Sequence, residues 1–453
     1  MALENLHIKF SKFTDTKKTT NMKKLHIKIC MMLAIVLPAF VAAVASDTTR
    51  LSRSKAPAIA DNFSLKLQPG FSGITVVDSL GKNRHLLVSQ NGDIYVKLAR
   101  LHDGKGIVVL RENPGGGARI VRSFANYTGT GIAIKNGYLY SSSDSVVYRY
   151  KLNENGEVVA PDAPEIIVKG LLARRSHNTK SIALDNAGNI YVNIGAPSNS
   201  CQVDDRAPGS KGKDPCPLLD SAGGIWQFKA DKLNQSYSDG VRYATGTRNI
   251  VGLDWNNTTN ELYAMQHGRD NFYQNWPALY DSVESAELPA EEFLLVKKGS
   301  NFGWPYCYYD QVRKKKVLAP EYGGNKTTQG RCEGMDNPIL GFPGHWAPNA
   351  LLFYTGNMFP EKYRNGAFIA FHGSWNRAPL KQKGYQVIFV PMKNGQPSGD
   401  WEVFADGFMG APEIGAPREA VYRPCGLAQG KDGSLYISDS VKGRIWKIIY
   451  NGK

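Results

Sequence analysis

His85-Leu86-Leu87-Val88, then Asn91-Gly92, then Ile94-Tyr95-Val96: this stretch decides the fold, because it is the first of six copies of one phrase. In each copy an apolar strand runs into a polar turn, and a second strand with an aromatic or aliphatic centre follows. The second copy is Gly131-Ile132-Ala133-Ile134 with Asn136-Gly137 and Leu139-Tyr140; the third is Ser181-Ile182-Ala183-Leu184 with Ala187-Gly188 and Ile190-Tyr191-Val192. Val251-Gly252-Leu253 with Asn260-Glu261 and Leu262-Tyr263-Ala264 is the fourth, and Leu351-Leu352-Phe353 with Asn365-Gly366 and Phe368-Ile369-Ala370 is a looser fifth. Gly426-Leu427-Ala428 with Asp432-Gly433 and Leu435-Tyr436-Ile437 closes the series. Asn-Gly and Asp-Gly accept the positive φ of a tight hairpin, which makes each copy a pair of antiparallel strands. A spacing of about 45 to 70 residues, stretched once by an insertion, suits one four-stranded blade per copy. The sequence therefore predicts an all-β, six-bladed β-propeller.

Such a ring gathers its chemistry at a mouth of the central channel, so the residues just after each phrase become candidates. Gly73–Val77 reads as a strand ahead of the first phrase and Arg444–Tyr450 as the last strand, so an N-terminal strand is expected to complete the final blade and remove the open sheet edge. Two insertions interrupt the repeat: Cys201–Cys216 after the third phrase, and Arg269–Phe293 after the fourth. Both follow inner strands, which points them to one face.

The 453 residues carry 55 Lys and Arg against 40 Asp and Glu, a formal charge of +15. Lys23, Lys24 and Lys28 precede an apolar run from Ile29 to Val44 that is short for a membrane span and ends in Ala43-Val44-Ala45, which predicts a secretory signal peptide cut after Ala45, with Met22 as an alternative start. The expected organisation is an extension and signal peptide over 1–45, a flexible polar lead-in over 46–60 and the propeller over 61–453. Removing residues 1–45 takes seven basic and two acidic residues, leaving 48 against 38, or +10. Scattered surface lysines explain much of that charge, and the absence of a basic helix or an RNA-binding signature argues against a nucleic-acid partner. A periplasmic or secreted protein with no stable membrane insertion after cleavage is expected. Export also suits the cysteines: Cys201 with Cys216 and Cys307 with Cys332 each close a loop rich in Gly, Pro, Lys and Asp, predicting two disulfides with Cys425 left free.

Several polar blocks frame the phrases. His177 lies in Arg174-Arg175-Ser176-His177-Asn178 just before the third, and Gly246-Thr247-Arg248-Asn249 opens the fourth. That phrase ends in Gln266-His267-Gly268-Arg269, after which come Glu291-Glu292 and Gly299-Ser300-Asn301-Phe302-Gly303-Trp304-Pro305. Phe371-His372-Gly373-Ser374-Trp375-Asn376-Arg377 and Arg423-Pro424-Cys425-Gly426 complete the set. In this order the blocks resemble the soluble quinoprotein dehydrogenases that use pyrroloquinoline quinone, most closely the sorbosone dehydrogenase group, over nearly all of residues 65 to 450.

The resemblance implies oxidation of a sugar, sugar aldehyde or related polyol by hydride transfer to the quinone, followed by delivery of electrons to an external acceptor such as a cytochrome or quinone. It assigns His177 as general base, a task that suits a neutral imidazole. Arg248 would stabilise charge growing on the quinone oxygen, with Asn249 donating to the cofactor. Arg377 and Arg423 match basic residues that hold or cover this flat tricarboxylate. Calcium is the second cofactor implied, held by the carbonyls of Gly268 and Arg269, with Glu292 in the adjoining calcium loop. The sequence departs from the better-known sugar dehydrogenases at Arg269, where they carry Pro, at Ser176, where some carry an acid, and at Thr128-Gly129-Thr130-Gly131, where relatives place an amide or histidine. His345 and His372 are expected at the same mouth without a catalytic role, and Trp346 as an aromatic wall or a packed core residue.

Two other readings share the architecture. A calcium-dependent propeller hydrolase of the lactonase type would gather carboxylates and amides on a metal, whereas Arg248, Arg377 and Arg423 favour an anionic cofactor. A propeller that binds glycans or proteins without catalysis is the other, since fold alone does not fix function.

Overall fold

The computed structural model describes residues 65–452. The predicted signal peptide and lead-in lie outside them. Six sheets form a ring, antiparallel except for a short parallel outer strand on two of them, and each is built around one sequence phrase. Blade 1 contains Asn83–Val88, Ile94–His102, Lys105–Glu112 and Ala118–Phe124, ordered from the channel outward. In the same order the inner hairpins of blades 2 to 6 are Ile132–Lys135 with Tyr138–Ser142, Ile182–Leu184 with Asn189–Ile194, Ile250–Asn256 with Glu261–Gln266, Pro348–Phe353 with Ala367–His372, and Pro424–Gln429 with Leu435–Asp439. Turn chemistry works as the sequence requires: Asn136 and Gly137 take φ of 48° and 76°, two successive positive values, as a two-residue hairpin demands.

The ring closes through the chain's first long strand. Phe71–Val77 pairs antiparallel with Ile445–Tyr450 as the outermost strand of blade 6, so N- and C-terminal segments share a sheet. Each second strand alternates its side chains between two blade interfaces, which is why the cores are apolar on both faces. Tyr191, from blade 3, stacks on Trp255 of blade 4 with ring centroids 5.6 Å apart. A hydrogen bond at the mouth also joins every blade to the next: Arg84 to Thr130, Ser142 to the Lys180 carbonyl, Ser181 to the Val251 carbonyl, His267 to the Pro348 carbonyl, His372 to Ser440, and Ser438 back to the Arg84 carbonyl. Below these contacts Leu86, Ile132, Ile182, Leu253, Leu351 and Leu427, one from each blade, line the channel together with polar groups that include His85 and Asp254.

Both expected disulfides are present, Cys201–Cys216 and Cys307–Cys332, and Cys425 is free and buried. The fourth phrase is followed by two short helices, Phe272–Asn275 and Ser282–Glu287. Glu291–Val296 is already the third strand of blade 4, so the insertion is shorter than the sequence suggested. No helix among the described residues is long and apolar enough to cross a membrane.

Candidate active site

A cavity of about 570 Å³ opens at the channel mouth where the inner strands begin and the second strands end. In an antiparallel pair those two ends are neighbours, so residues on both sides of each phrase reach it. Thr130, His177, Arg248 and Arg423 precede first strands, and Arg84 and Asn349 are the second residues of theirs; His372 ends a second strand, and Asp144, Gly268, Asp270 and Trp375 follow second strands.

His177 is held in a left-handed conformation, φ 55°, that turns its ring into the cavity. Its Nδ1 lies 2.5 Å from the Ala196 carbonyl. A carbonyl only accepts, so Nδ1 carries the proton and Nε2 keeps a free lone pair. Burial, reinforced by the Arg248 charge, pushes the imidazole down to about 3. The ring is therefore neutral near physiological pH. Gly195 makes this possible: a Cβ there would meet the His177 Cβ at 2.7 Å and the Asn249 Oδ1 at 3.1 Å.

Asp270 organises the opposite wall. Its Oδ2 accepts from Arg248 Nη2 at 2.7 Å and Arg206 Nη2 at 2.8 Å, while Oδ1 accepts from Asn376 at 2.6 Å. Arg206 comes from the Cys201–Cys216 loop, so the disulfide-closed insertion contributes a cation to the mouth. Arg248 also donates from Nη1 to the Gly268 carbonyl at 3.0 Å, but its Nε is buried without a partner, as is Asn249 Oδ1. Arg423 donates Nε to the His372 carbonyl at 2.9 Å and sits over the Tyr385 ring. Four arginines thus line one cavity, and Arg248 keeps an unpartnered Nε among them, a cationic set that fits a flat polyanion such as the quinone.

His177, Arg248, Asn249, Gly268 and Arg423 come together as the sequence suggested; three expected residues do not. Arg377 is 1% exposed and points into backbone, giving its protons to the carbonyls of Ala286, Gly344 and Lys381 and pairing with Glu287 at 2.6 Å. Arg269 turns away to pair with buried Glu321 over the Phe272 ring. Glu292 accepts from Lys316 at 2.8 Å and Gln266 at 3.0 Å. Neighbours on a strand face opposite ways, so it is Glu291 that reaches the cavity. Glu291 accepts from the backbone N–H groups of Gly268 and Ala347, and burial raises it to about 7. The calcium set expected from Gly268, Arg269 and Glu292 is therefore not assembled: the Gly268 carbonyl is held by Arg248 and the other two residues lie off the cavity wall. As placed, the Gly268 carbonyl and the Glu292 carboxylate are already engaged, by Arg248 and Lys316, and do not fit a calcium ion.

Reasoning from sequence missed Arg84, Arg206, Asp144 and Asp270, although Asp144 and Asp270 follow their phrases directly. Trp346 is core, edge-on to Phe371 and Trp401, and the aromatic ring on the cavity is Trp375, 53% exposed. His345 donates Nε2 to the carbonyls of Ser285 and Leu288 and turns Nδ1 toward Asn376. His267 and His372 are spent on contacts between blades.

Residues 65–451 match the model of the TrAA12-like family. The chain belongs to the TrAA12-like family. Among similar TrAA12-like or related sequences, a pyrroloquinoline quinone-dependent sugar dehydrogenase of Hypocrea jecorina is 22% identical over 87% of this chain and 89% of its own. A protein of Borreliella burgdorferi is 27% identical over 46% of this chain, which spans about half (48%) of that relative's length. The iodide structure of the Trichoderma reesei carbohydrate-active enzyme of family AA12 superposes with a TM-score of 0.69 at 20% identity, covering 86% of this chain and 98% of the other. These matches do not single out the sorbosone group that the sequence blocks suggested.

Proposed function

We propose that this protein is a secreted or periplasmic dehydrogenase that uses pyrroloquinoline quinone to oxidise a hydroxyl-bearing or hydrated aldehyde carbon of a sugar and passes the electrons to an external acceptor. The observation that carries the reading is the fixed tautomer of His177, whose Nε2 lone pair faces a cavity that also holds Arg248. The quinone-dependent sugar dehydrogenase among the relatives supports the choice of cofactor.

Bound in the cavity, the quinone supplies the hydride acceptor. His177 Nε2 takes the substrate hydroxyl proton, and the imidazolium so formed keeps its Nδ1–H on the Ala196 carbonyl, so the ring does not turn. Arg248, fixed by Asp270 and the Gly268 carbonyl, presents its free Nε to developing negative charge without reorganising. Arg423, Arg84 and Arg206 would hold the carboxylates of the cofactor.

Titrating purified protein with the quinone, in calcium and in chelator, followed by dye reduction with a panel of aldoses, tests the proposal. Saturable quinone binding in chelated protein and sugar-dependent bleaching of the dye are expected; absence of quinone binding in both buffers overturns the reading.

A further inference from the structure

Three carboxylates line the cavity, and two are fully engaged. Asp270 is held by two guanidinium groups and an amide, and Glu291 by two backbone N–H groups. Asp144 differs. It stands on the turn between Tyr138–Ser142 and Val147–Lys151 of blade 2, faces the cavity, and has no hydrogen bond or ion pair among the described residues. The turn itself is tied by Ser143, whose Oγ accepts from the N–H groups of Ser145 and Val146, so the Asp144 carboxylate is not used to build the loop. Lys97 and Lys180 lie buried nearby, yet they give their protons to the carbonyls of Tyr127 and Asn178.

The cavity wall around Asp144 is rich in hydroxyl groups, and Lys97 and Lys180, which feel its charge, lie buried behind that wall rather than on it. Thr128, Asn178 and Thr179 line the cavity with it, and the Thr179 hydroxyl is buried without a partner. Arg84, at the edge of this wall, has its Nε committed to Thr130. The cavity is thus divided: a polyanion belongs against Arg206, Arg248 and Arg423, and a ligand offering hydrogen-bond donors belongs against Asp144.

We propose that Asp144 is a specificity-determining residue that accepts hydrogen bonds from hydroxyl groups of a neutral monosaccharide and disfavours uronic acids by like charge. The identification of this ligand as the substrate rests on the proposed function. Its binding to the protein does not.

The test is equilibrium binding of glucose, galactose, glucuronate and galacturonate to the cofactor-free full chain, by ligand-observed NMR, for the wild type, Asp144→Asn and Asp144→Glu, with quinone binding measured on the same samples. Asp144→Asn conserves shape and breaks no hydrogen bond or ion pair among the described residues; because it removes a charge felt by Lys97 and Lys180, the thermal midpoint of each variant is measured alongside. A hydrogen bond to a charged group is worth roughly tenfold or more in affinity. The wild type should bind the neutral sugars better than the uronates; Asp144→Asn should weaken the neutral sugars about tenfold and close the gap, Asp144→Glu should restore part of it, and quinone affinity should not move. Unchanged sugar binding in Asp144→Asn, no sugar binding by the wild type, or loss of quinone affinity in the variant would each overturn the proposal. Failure of the wild type to bind quinone while sugar binding still depends on residue 144 would sink the dehydrogenase reading and leave this one standing.

Discussion

A histidine whose charged form is buried is a poor buffer and a reliable lone pair. His177 is the case in point: burial and Arg248 push it down to about 3, so Nε2 is vacant throughout the neutral range and the pH dependence that an imidazole normally brings is displaced toward acid. The proposed dehydrogenase should therefore show kcat/KM flat from about pH 8 to about pH 5 as far as this group is concerned; an inflection near the ordinary imidazole value of about 6.5 would show that His177 titrates normally and is not the buried base described. His177→Ala should bind quinone like the wild type and turn over on the order of a hundredfold more slowly. Normal turnover in the loaded variant would remove the residue from the mechanism. Gly195 shows why the geometry depends on a neighbour, since its missing side chain is the space in which His177 and Asn249 meet.

At the scale of one strand, alternation decides which carboxylate does what. Glu291 and Glu292 are adjacent in blade 4, and only the first faces the mouth, while Glu292 forms a buried pair with Lys316, the two side chains 4% and 1% exposed. Glu292→Gln leaves an uncompensated buried cation, a change that costs roughly 3 to 5 kcal/mol, so its thermal midpoint should fall by several degrees while quinone affinity below the transition stays as in the wild type. If Glu292 were instead a ligand of a bound calcium ion, the variant would lose calcium-dependent stabilisation and quinone affinity together. The contrast marks what was legible in the sequence. The hairpins announced themselves through six polar turns, and His177, Arg248 and Arg423 through their places beside the phrases. Glu291 against Glu292 depends on a strand boundary blurred by the preceding insertion, and Arg377 on a loop that folds back onto the carbonyls of Ala286 and Gly344. Arg206 was hidden in a loop whose path is set by the Cys201–Cys216 bridge and by Asp270, both remote from it in local pattern.

At the scale of the molecule, the ring places histidines and carboxyls in an apolar environment around one channel, and their protons link its stability to pH. His85, His177, His267 and His372 are all held below the ordinary imidazole value, chiefly by burial, the first three to about 4, 3 and 4. Below pH 6.5 the unfolded chain takes up protons on these four that the native ring refuses, so their contribution to stability is lost as pH falls from about 6.5 toward 4. Asp254, in the channel wall, and Glu291 act in the opposite sense. Burial raises both to about 7, so the native ring keeps two protons that the unfolded chain releases, and that stability is lost as pH rises from about 4 through 7. Near pH 5.5 the unfolded chain thus binds four of these protons against two in the native ring, and the histidines prevail. Unfolding by urea should become harder as pH rises from about 5 to about 6.5, with a net uptake on unfolding of about two protons near pH 5.5 that shrinks toward zero by about 6.5. His85 supplies the control, because its Nε2 contacts only the Asn349 carbonyl and it does not line the mouth cavity. His85→Gln should flatten the slope by about one proton without touching quinone binding. A stability that is level or falls across that interval would mean that the histidines at the blade junctions take up protons in the folded ring, and that their hydrogen bonds between blades do not require the neutral form.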